Sequence, residues 1–448
     1  MGVLRKNKRK HDREYRELLH KLTQPFYYLN RKLTSHLLRR AVNGGVTRKA
    51  DGNNILYLAA SCLPYHISGY TARTQALLNA LSEKNAPVVA LTRTGYPWDR
   101  RDRLQNASLP AHKVDKVTYH HIPHPGRLKQ VAHYALSAAV EIEKFARSME
   151  IGRIHAASNH VNALPGLIAA RRMGIPFHYE MRGLWELSRA SRYPDFYNSP
   201  AFQLGLELEK FAAVNADQLF TISGQLAEYA AQHWGISREK IEILPNCLTA
   251  ELAEESPAAN VQPNLLGYAG SLVEYEGLDV LLESLAQLRK QGMALTLRIV
   301  GDGEARERLE KLASTLGLHE QVHFLGRMAP EMAREKLREC SAVCLPRKPY
   351  EVCRIIPPFK LVESMAMGKP VLVPDLPIFH EELGELADGW TFEPGNATSL
   401  AELLKMRLTD KNSLQEQGRK LRLKALATRQ WSHFIPLLLK ETGKCLDH

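Results

Sequence analysis

The sequence predicts an α/β protein built from two doubly wound parallel sheets. Apolar, strand-like runs alternate with amphipathic helical stretches along most of its 448 residues, a length sufficient for two such domains. A polar, proline-bearing stretch at residues 251–263 divides this alternation in two. Between Leu266 and Asp375, the apolar runs meet glycine or a charged residue before each helix. That layout is typical of a sheet whose strand ends hold a phosphorylated ligand.

The composition is that of an ordinary globular protein, with 44% hydrophobic and 24% charged residues. No apolar run approaches the ~20 residues needed to span a bilayer, and the N-terminus lacks the apolar core of a signal peptide. The six cysteines form no Cys-x-x-Cys pair and lie scattered, mostly in apolar runs. We therefore expect reduced cysteines, no metal site and a cytoplasmic location.

The formal net charge of +12 is unevenly distributed. Residues 1–49 contain fourteen Lys/Arg and three acidic residues, a net charge of +11, which leaves only +1 for the other 399 residues. The high isoelectric point of the whole chain therefore comes from its N-terminal segment. Because the rest of the protein is nearly neutral, this value does not indicate a nucleic-acid partner.

Residues 1–50 are predicted to form a basic, helical N-terminal extension. Leucines and aromatic residues interleave with its charges, and Pro25 interrupts any continuous helix. This mixture favours an interfacial segment on anionic lipid, which would place the protein peripherally on the inner face of the plasma membrane. A solvated, partly disordered tail is the main alternative, and an RNA or protein partner of this segment is the least favoured.

The first domain is assigned to residues 51–250. The run Asn53–Ser61 predicts a buried parallel strand, and the helix that follows carries Ala76, Leu77, Ala80 and Leu81 on one face. Gly69 lies between them, where we expect a tight turn whose backbone N–H groups face a phosphate. Further strands are predicted at Pro87–Leu91, Val117–His121, Ile151–Ala157, Pro176–Met181, Gln218–Ile222 and Ile241–Leu244.

The second domain is assigned to residues 264–410, after a linker at 251–263. A stripe of leucines at helical spacing from Leu278 to Leu288 predicts its first helix, and Leu295–Val300 predicts its second strand. Residues 411–448 are predicted to be helical.

Four segments of the second domain, GYAGSLVEYEGLD, GDGEARE, HFLG and PPFKLVESMAMGKPV, occur in an order that resembles the donor-binding domain of family-4 retaining glycosyltransferases. Together with SGYTARTQALL, HAASN and YEMRGLWE, the resemblance covers roughly residues 53–410 and is to the bacterial envelope-polysaccharide type. It implies the GT-B architecture, in which two Rossmann-like domains face each other across a cleft. It also implies that the last helix, near Trp431–Lys440, crosses back onto the first domain.

The resemblance implies a transferase that moves a sugar, with retention, from a nucleotide-sugar donor to a glycan or lipid-linked acceptor. Such an enzyme needs no cofactor, and the absence of an Asp-x-Asp pair in any plausible loop agrees with metal independence. A UDP-sugar is favoured over a GDP-sugar only because UDP-sugars are the commoner donors.

Glu363 matches the family glutamate that accepts hydrogen bonds from ribose hydroxyls, because a carboxylate accepts well from a vicinal pair. Lys360 lies three residues earlier on the same helical face, within reach of the phosphates. Both are therefore predicted donor-site residues, and Lys360 is a predicted catalytic residue.

The sequence departs from the family pattern in its charges. A second glutamate, eight residues before Glu363, is replaced by Ile355, and Ser271 and Glu276 stand where relatives have Arg and Lys. We expect the missing positive charge to come from four nearby cations, of which Arg354 is a further catalytic candidate. The four are Arg347, Lys348, Arg354 and Lys360. The remaining predicted donor-binding residues are Gly69, Asn246, Gly270, Ser271 and Arg327.

On the acceptor side, Arg182 stands where many relatives have a catalytic histidine, and we expect it to donate to phosphate or to a sugar carboxylate. Trp185 offers a flat face for a pyranose ring. Ser158 and Asn159 follow a predicted strand at the cleft rim, and Glu180 lies two residues before Arg182. These last four are the predicted acceptor-binding residues.

Two other functional classes remain open. The same architecture serves nucleotide-sugar epimerases and phosphorylases, although no motif singles out the lysine that a pyridoxal phosphate phosphorylase requires. The missing glutamate and the Ser271/Glu276 pair also permit a catalytically inactive subunit that scaffolds a polysaccharide complex.

Overall fold

A computed structural model describes residues 30–105, 110–127, 130–254 and 260–440. Two mainly parallel sheets confirm the predicted α/β fold class. The first contains β1 (Asn54–Ala59), β2 (Val88–Thr92), β3 (Ala111–Val114), β4 (Val117–His120), β5 (Ile151–Ala157), β6 (Phe177–Met181), β7 (Gln218–Thr221) and β8 (Ile241–Ile243). The second contains β9 (Gln262–Ala269), β10 (Thr296–Val300), β11 (Val322–Gly326), β12 (Cys340–Cys344), β13 (Val371–Pro374) and β14 (Thr391–Phe392).

Both sheets wind outward from a central strand. The first has the order β3-β4-β2-β1-β5-β6-β7-β8, and the second β11-β10-β9-β12-β13-β14. The strand order therefore reverses between β1 and β5 in one sheet and between β9 and β12 in the other. In such sheets, a crevice opens beyond the carboxyl ends of the strands at the reversal, and ligands bind there.

Helices cover the faces of the first sheet. They are α1 (residues 30–42), α2 (Gly69–Glu83), α3 (Val131–Ser148), α4 (His160–Met173), α5 (Trp185–Arg192), α6 (Pro194–Tyr197), α7 (Pro200–Val214) and α8 (Gly224–Trp234). The next helix, α9 (Ala250–Glu254), contacts the helix Phe359–Ala366 of the second domain. Local chemistry sets their ends. The Ser68 hydroxyl caps α2 by accepting from the Thr71 N–H while the Thr71 hydroxyl accepts from the Ser68 N–H, and Gly174, at φ +65°, ends α4.

The helices that follow are α10 (Leu278–Lys290), α11 (Arg306–Thr315), α12 (Pro330–Arg338), α13 (Glu351–Ile355), α14 (Phe359–Ala366), α15 (Pro377–Leu383), α16 (Ala397–Leu408), α17 (Lys411–Thr428) and α18 (Trp431–Leu439). The leucine stripe from Leu278 to Leu288 is buried in α10, as its spacing predicts. Short 3-10 turns occupy Arg238–Lys240, Glu274–Glu276 and Gly384–Ala387.

The last helix lies on the first domain. Trp431, Ile435 and Leu438 of α18 are buried in one cluster with Tyr57 and Leu77. The Arg153 guanidinium also donates to the carbonyl oxygens of Leu438, at 2.8 Å, and of Lys440, at 2.7 Å. The chain thus returns from the second sheet to the first.

Part of the N-terminal extension packs against the body. Leu38 and Val42 of α1 are buried in the main core, with exposures of 1% and 7%. Residues 1–29, including Pro25 and most of the predicted interfacial segment, lie outside the described residues. No helix in the described ranges is long and apolar enough to cross a membrane.

The structure corrects three details of the sequence interpretation. β3 pairs antiparallel with β4 and is an unpredicted strand in the long loop after β2. The predicted linker 251–263 includes most of α9 and the first residues of β9, while residues 255–259 lie outside the described part. Gly69 is the first residue of α2 and does not adopt a positive φ, so no tight turn requires glycine there.

Candidate functional site

The strand reversal of the second sheet brings Lys360 against the backbone that follows β9. Its Nζ donates to Glu276 Oε2 at 2.7 Å and to the Tyr268 hydroxyl at 2.8 Å. Gly270 makes room for it, since a Cβ there would lie 2.8 Å from Nζ. At φ +153°, Gly270 also has a backbone conformation that L side chains rarely adopt.

Glu276 binds two cations at once. Besides Lys360, it accepts from an Arg347 terminal nitrogen at 3.0 Å, and its own exposure is 3%. Burial alone would raise the pKa of Glu276, but the charges of Arg347 and Lys360 outweigh it and lower the pKa to about 2. The group is therefore a carboxylate at neutral pH, and the three side chains together carry one net positive charge when Lys360 is protonated.

Lys348 is occupied elsewhere. Its Nζ bonds to the carboxylates of Glu274 and Asp279, the latter at 2.7 Å. Arg347 is buried, with 7% exposure, and its second terminal nitrogen donates to the Ile356 carbonyl at 2.8 Å. Carboxylates therefore neutralise much of the positive charge that Arg347, Lys348 and Lys360 were expected to supply, and their contacts with a donor stay predictions.

Arg354 differs from these three cations. It lies on α13, which contacts α5 and α8 of the first domain, and its side chain is exposed. Within the described ranges, it makes no ion pair. It is thus the cation of the predicted four that remains free for an anionic ligand.

Glu363 lies one turn after Lys360 on α14 and is half-buried. Burial raises the pKa of its carboxyl group, and the charges of Arg334 and Lys360 offset this only in part. No hydrogen bond to this carboxylate is found among the residues that the structure describes. A partly desolvated carboxylate without a partner, beside a cation, is suited to accept from ligand hydroxyls.

The other predicted donor residues are placed as follows. Ser271 is exposed directly after Gly270, and Arg327 is exposed after β11. Asn246 is 3% exposed, and its side-chain amide lies between Arg73 and the Pro357 carbonyl. Gly69 lies opposite the first residue of α14, since a Cβ there would be 3.6 Å from the Phe359 Cβ. The structure thus brings Gly69 and Gly270 close to α14, which carries Lys360, while Asn246 joins the two domains.

On the first sheet, Glu180 is the centre of a buried network. Its Oε1 accepts from Arg73 at 2.8 Å and from Arg182 at 2.9 Å, and its Oε2 accepts from the Tyr57 hydroxyl at 2.9 Å. The group is fully buried; burial would raise its pKa, yet the charges of Arg182 and Arg73 hold it well below the ordinary value. Glu180 is thus a buried counterion in this structure, and its contact with an acceptor stays a prediction.

Arg182 has all five of its N–H donors within reach of protein acceptors. Besides Glu180, these acceptors are the Thr74 hydroxyl at 2.7 Å, the Tyr70 carbonyl at 3.3 Å and the Tyr57 hydroxyl. Its guanidinium also lies over the Tyr70 ring, 4.6 Å from the centroid. The direct catalytic contact predicted for Arg182 would require breaking one of these bonds, and it stays a prediction.

The rim residues match the acceptor-side prediction more closely. Trp185, at the start of α5, is 48% exposed and stands edge-on to Phe196. Asn159 is half-buried at the start of α4, and its side chain makes no capping bond. Ser158 is more enclosed, because its hydroxyl accepts from the Arg182 N–H at 3.0 Å. Trp185 and Asn159 are thus the two that remain available.

The two domains meet around these residues. The Ser223 hydroxyl donates to the Ile355 carbonyl at 2.6 Å, and the Glu381 carboxylate accepts from the backbone N–H groups of Gly224 and Gln225 at the start of α8. Arg192 binds the Glu304 carboxylate at 2.6 and 2.7 Å. These contacts hold the two walls of the cleft together.

Arg73, Tyr268 and Arg192 were not singled out from the sequence. Only Arg73 gave a usable signal. It lies on α2 beside the apolar face that carries Ala76 and Leu77, and a cation there requires a buried counterion. Tyr268 is an ordinary aromatic residue in a strand, and Arg192 is one of many helix-terminal cations.

Comparison with known proteins supplies the context for this geometry. A profile described as "Glycosyl transferase 4-like domain" matches residues 68–247, and one described as "Glycosyl transferases group 1" matches residues 250–424. A 2-deoxystreptamine glucosyltransferase of Streptomyces kanamyceticus is 22% identical over 260 residues, 55% of this chain and 65% of that protein. The match covers 65% of the length of this glucosyltransferase, and the matches to two other curated relatives cover 37% and 54% of their lengths.

Solved structures agree on the fold. Sucrose-phosphate synthase of Thermosynechococcus elongatus superposes with a TM-score of 0.70 at 17% identity, over 86% of this chain and 97% of that one. HepE of Anabaena, in complex with UDP, gives a TM-score of 0.64 at 17% identity, over 86% and 98% of the two chains. At this level of identity, the likeness establishes the arrangement of the two domains.

Proposed function

The chain belongs to the family-4 glycosyltransferases of the GT-B fold, and from this membership we propose that it transfers a sugar from a nucleotide-sugar donor to a glycan or lipid-linked acceptor. The transfer proceeds with retention and without a metal ion, and it serves the synthesis of a bacterial surface polysaccharide. A UDP-sugar is the favoured donor, in keeping with the UDP bound to the HepE protein of the same fold.

One observation carries this proposal. Glu363 and Lys360 lie one turn apart on α14, at the strand reversal of the second sheet. Glu363 is a half-buried carboxylate with no partner among the described residues, and Lys360 stands against the Gly270 backbone. A ribose offers two vicinal hydroxyls as donors to Glu363, and an adjoining diphosphate offers a second anion to Lys360, which already binds Glu276.

In the proposed reaction, cations of the site stabilise the leaving group. In a front-face displacement, the bond from the anomeric carbon to the diphosphate oxygen breaks while the acceptor oxygen attacks from the same side. The departing oxygen takes the acceptor proton, so no separate protein base is needed. Lys360 and the exposed Arg354 then neutralise the developing negative charge, the effect that such pre-positioned cations supply.

Glu276 has a defined part in this scheme. It holds Lys360 and Arg347 in place before the donor arrives, so their side chains lose little conformational freedom on binding. When the cleft is empty, Glu276 keeps Lys360 oriented, so no charge is left unpaired there. The diphosphate of the donor then competes with Glu276 for Lys360.

Release of nucleotide from a panel of donors tests the function. The full-length protein is incubated without acceptor with UDP- and GDP-linked hexoses, and free UDP and GDP are measured over hours. An active transferase slowly hydrolyses its own donor, so one nucleotide should accumulate for a small subset of sugars. A panel without release, by a protein that nevertheless binds a nucleotide, would contradict the transferase activity.

A protein that binds a nucleotide but releases none from any donor would favour the second candidate function, that of an inactive scaffold subunit. The specific observation for it is charge: Ile355 replaces a family carboxylate, and Glu276 occupies a position where relatives have a cation. A scaffold retains the fold and the cleft but shows no turnover with any donor.

Replacing Glu363 with alanine is expected to raise the KM for the donor and to lower kcat/KM by roughly 10- to 100-fold. The reason is that hydrogen bonds to a charged acceptor contribute about 1.5–3 kcal/mol. Steady-state kinetics with the donor from the panel measures this. Glu402, an exposed carboxylate on α16, provides the control variant Glu402→Ala. Equal donor KM values in both variants would remove Glu363 from the site.

Deleting residues 2–29 tests the membrane proposal. This segment carries eight Lys/Arg and three acidic residues, whereas a deletion through residue 49 would also remove the buried Leu38 and Val42 of α1. We expect the truncated protein to stop sedimenting with phosphatidylserine vesicles but to turn over a soluble acceptor as before. Binding of the full-length protein should weaken as salt rises, because near-surface cations contribute about 1 kcal/mol each. Unchanged sedimentation of the truncated protein would favour a solvated tail.

A further inference from the structure

A cysteine and two histidines converge at the carboxyl edge of the first sheet. Cys62 lies in the loop after β1, His112 lies on β3, and His121 follows β4 directly. One ligand atom from each lies within 4.8 Å of the other two. The two imidazoles face each other, with His112 Nδ1 2.8 Å from His121 Nε2.

The far nitrogen of each ring is already held by an oxygen atom. His112 Nε2 lies 2.7 Å from the Leu63 carbonyl and must donate to it, because a carbonyl only accepts. His112 Nδ1 is therefore the lone-pair nitrogen of the neutral ring. His121 Nδ1 lies 2.7 Å from the Thr92 hydroxyl. Oxygen partners on the outer nitrogens are the second shell that orients imidazole ligands of metals.

The surroundings keep both rings neutral. Cys62 and His121 are buried, with exposures of 0% and 4%, and His112 is half-buried. Burial lowers the pKa of His121 to about 3, and it also lowers the pKa of His112. Tyr65 stands edge-on to both rings and helps to exclude water. The thiol of Cys62 is protonated in the absence of an ion, because burial raises its pKa.

The spacing suits a small divalent ion. Zinc–nitrogen bonds of about 2.0–2.1 Å and a zinc–sulfur bond of about 2.3 Å place tetrahedral ligand atoms roughly 3.3–3.6 Å apart. The two facing nitrogens are 2.8 Å apart, and one ligand atom from each of the three residues lies within 4.8 Å of the other two, so the three groups are near enough for one ion to join them. One thiolate and two imidazoles form a donor set that prefers Zn²⁺ to Mg²⁺ or Ca²⁺.

We propose that Cys62, His112 and His121 bind a divalent transition-metal ion, with Zn²⁺ as the matching ion. Binding forms one metal–sulfur and two metal–nitrogen bonds. The thiol proton of Cys62 passes to solvent, and the proton that His121 Nε2 shares with His112 Nδ1 moves to His121 Nδ1, which then donates to the Thr92 hydroxyl. The ion joins the loop before α2 to β3 and the end of β4. Because α2 carries Arg73 and Thr74, which bind Glu180 and Arg182, the site stabilises the first-domain wall of the cleft. It takes no part in sugar transfer and does not involve α14.

Cobalt(II) titration of tag-free, full-length protein tests the proposal. After treatment with a chelator, the protein should bind one equivalent of Co²⁺ and show the intense near-ultraviolet band of a thiolate–cobalt bond. Zn²⁺ should then displace the cobalt and raise the thermal unfolding temperature. A protein that gives no thiolate–cobalt band, or no stabilisation by Zn²⁺, would overturn the site.

Three variants identify the ligands. Cys62→Ser should lose the sulfur band, and His112→Gln should weaken cobalt binding by at least about tenfold. Cys344→Ser is the matched control, because Cys344 is also fully buried but lies on β12, outside the cluster. If Cys62→Ser fails to fold, the His112→Gln variant tests the metal site by itself, because His112 is only half-buried. A band that persists unchanged in His112→Gln, or disappears in Cys344→Ser, contradicts the assignment.

Discussion

Replacing Lys360 with alanine is expected to lower kcat by about 10²–10³, the usual cost of removing one pre-positioned donor from a developing negative charge. The loss should fall mainly on kcat, because the interaction strengthens as the diphosphate departs. Steady-state kinetics at saturating donor, together with single-turnover measurements, checks this. The substitution leaves Glu276 bound to Arg347, so its carboxylate remains paired.

Lys311→Ala is the matched control for this variant. Lys311 is an exposed lysine on α11 of the same domain, and its removal should leave kcat within experimental error. A Lys360→Ala enzyme that retains near-normal kcat would assign the leaving-group role to another cation, with Arg354 the first to examine. A variant whose only change is a lower unfolding temperature would make Lys360 a purely structural partner of Glu276.

Replacing Glu180 with alanine should lower the free energy of unfolding by about 3–5 kcal/mol, because it leaves Arg73 and Arg182 buried without their shared carboxylate. Urea denaturation monitors this, and the transition of the first domain should shift to lower urea. Activity should fall as well. Glu180 binds Arg182 directly, and it also binds Arg73, which in turn donates to Asn246, so its removal loosens both Arg182 and Asn246.

Glu83→Ala supplies the comparison. Glu83 pairs with Lys116 on the surface, both side chains being about half exposed, and such pairs contribute about 0–1 kcal/mol. A small, equal shift in the two variants would mean that Glu180 is not the counterion of both arginines. A Glu180→Ala protein of normal stability that has nevertheless lost activity would instead support the predicted direct contact with an acceptor.

Most strands of both sheets could be predicted from the sequence because they are continuous apolar runs bounded by polar residues. β1 and β5, for example, lie within a residue or two of their predicted limits. β3 could not be predicted, because its four residues, AHKV, have neither apolar continuity nor alternation. Its pairing with β4 depends on a tight turn at Asp115, which has a φ of +50°.

The sequence predicts which residues of α14 form the candidate site, but it does not predict the ion pairs around them. Glu363 and Lys360 could be placed because they are one helical turn apart on the same segment. The pairing of Glu276 with Lys360 spans 84 residues, and that of Arg73 with Glu180 spans 107. Such contacts arise only when separate strands place their carboxyl ends side by side. For this reason, the sequence suggested free cations where the structure contains ion pairs.

Calorimetric titration of UDP and of GDP into the full-length protein, repeated with Glu363→Ala, tests most directly whether α14 holds the nucleotide of a sugar donor. We predict that one of the two nucleotides binds the wild-type protein with a stoichiometry of one, and that its affinity falls by at least about tenfold in the variant. Absence of binding by both nucleotides, or equal affinity in the two proteins, would contradict the assignment.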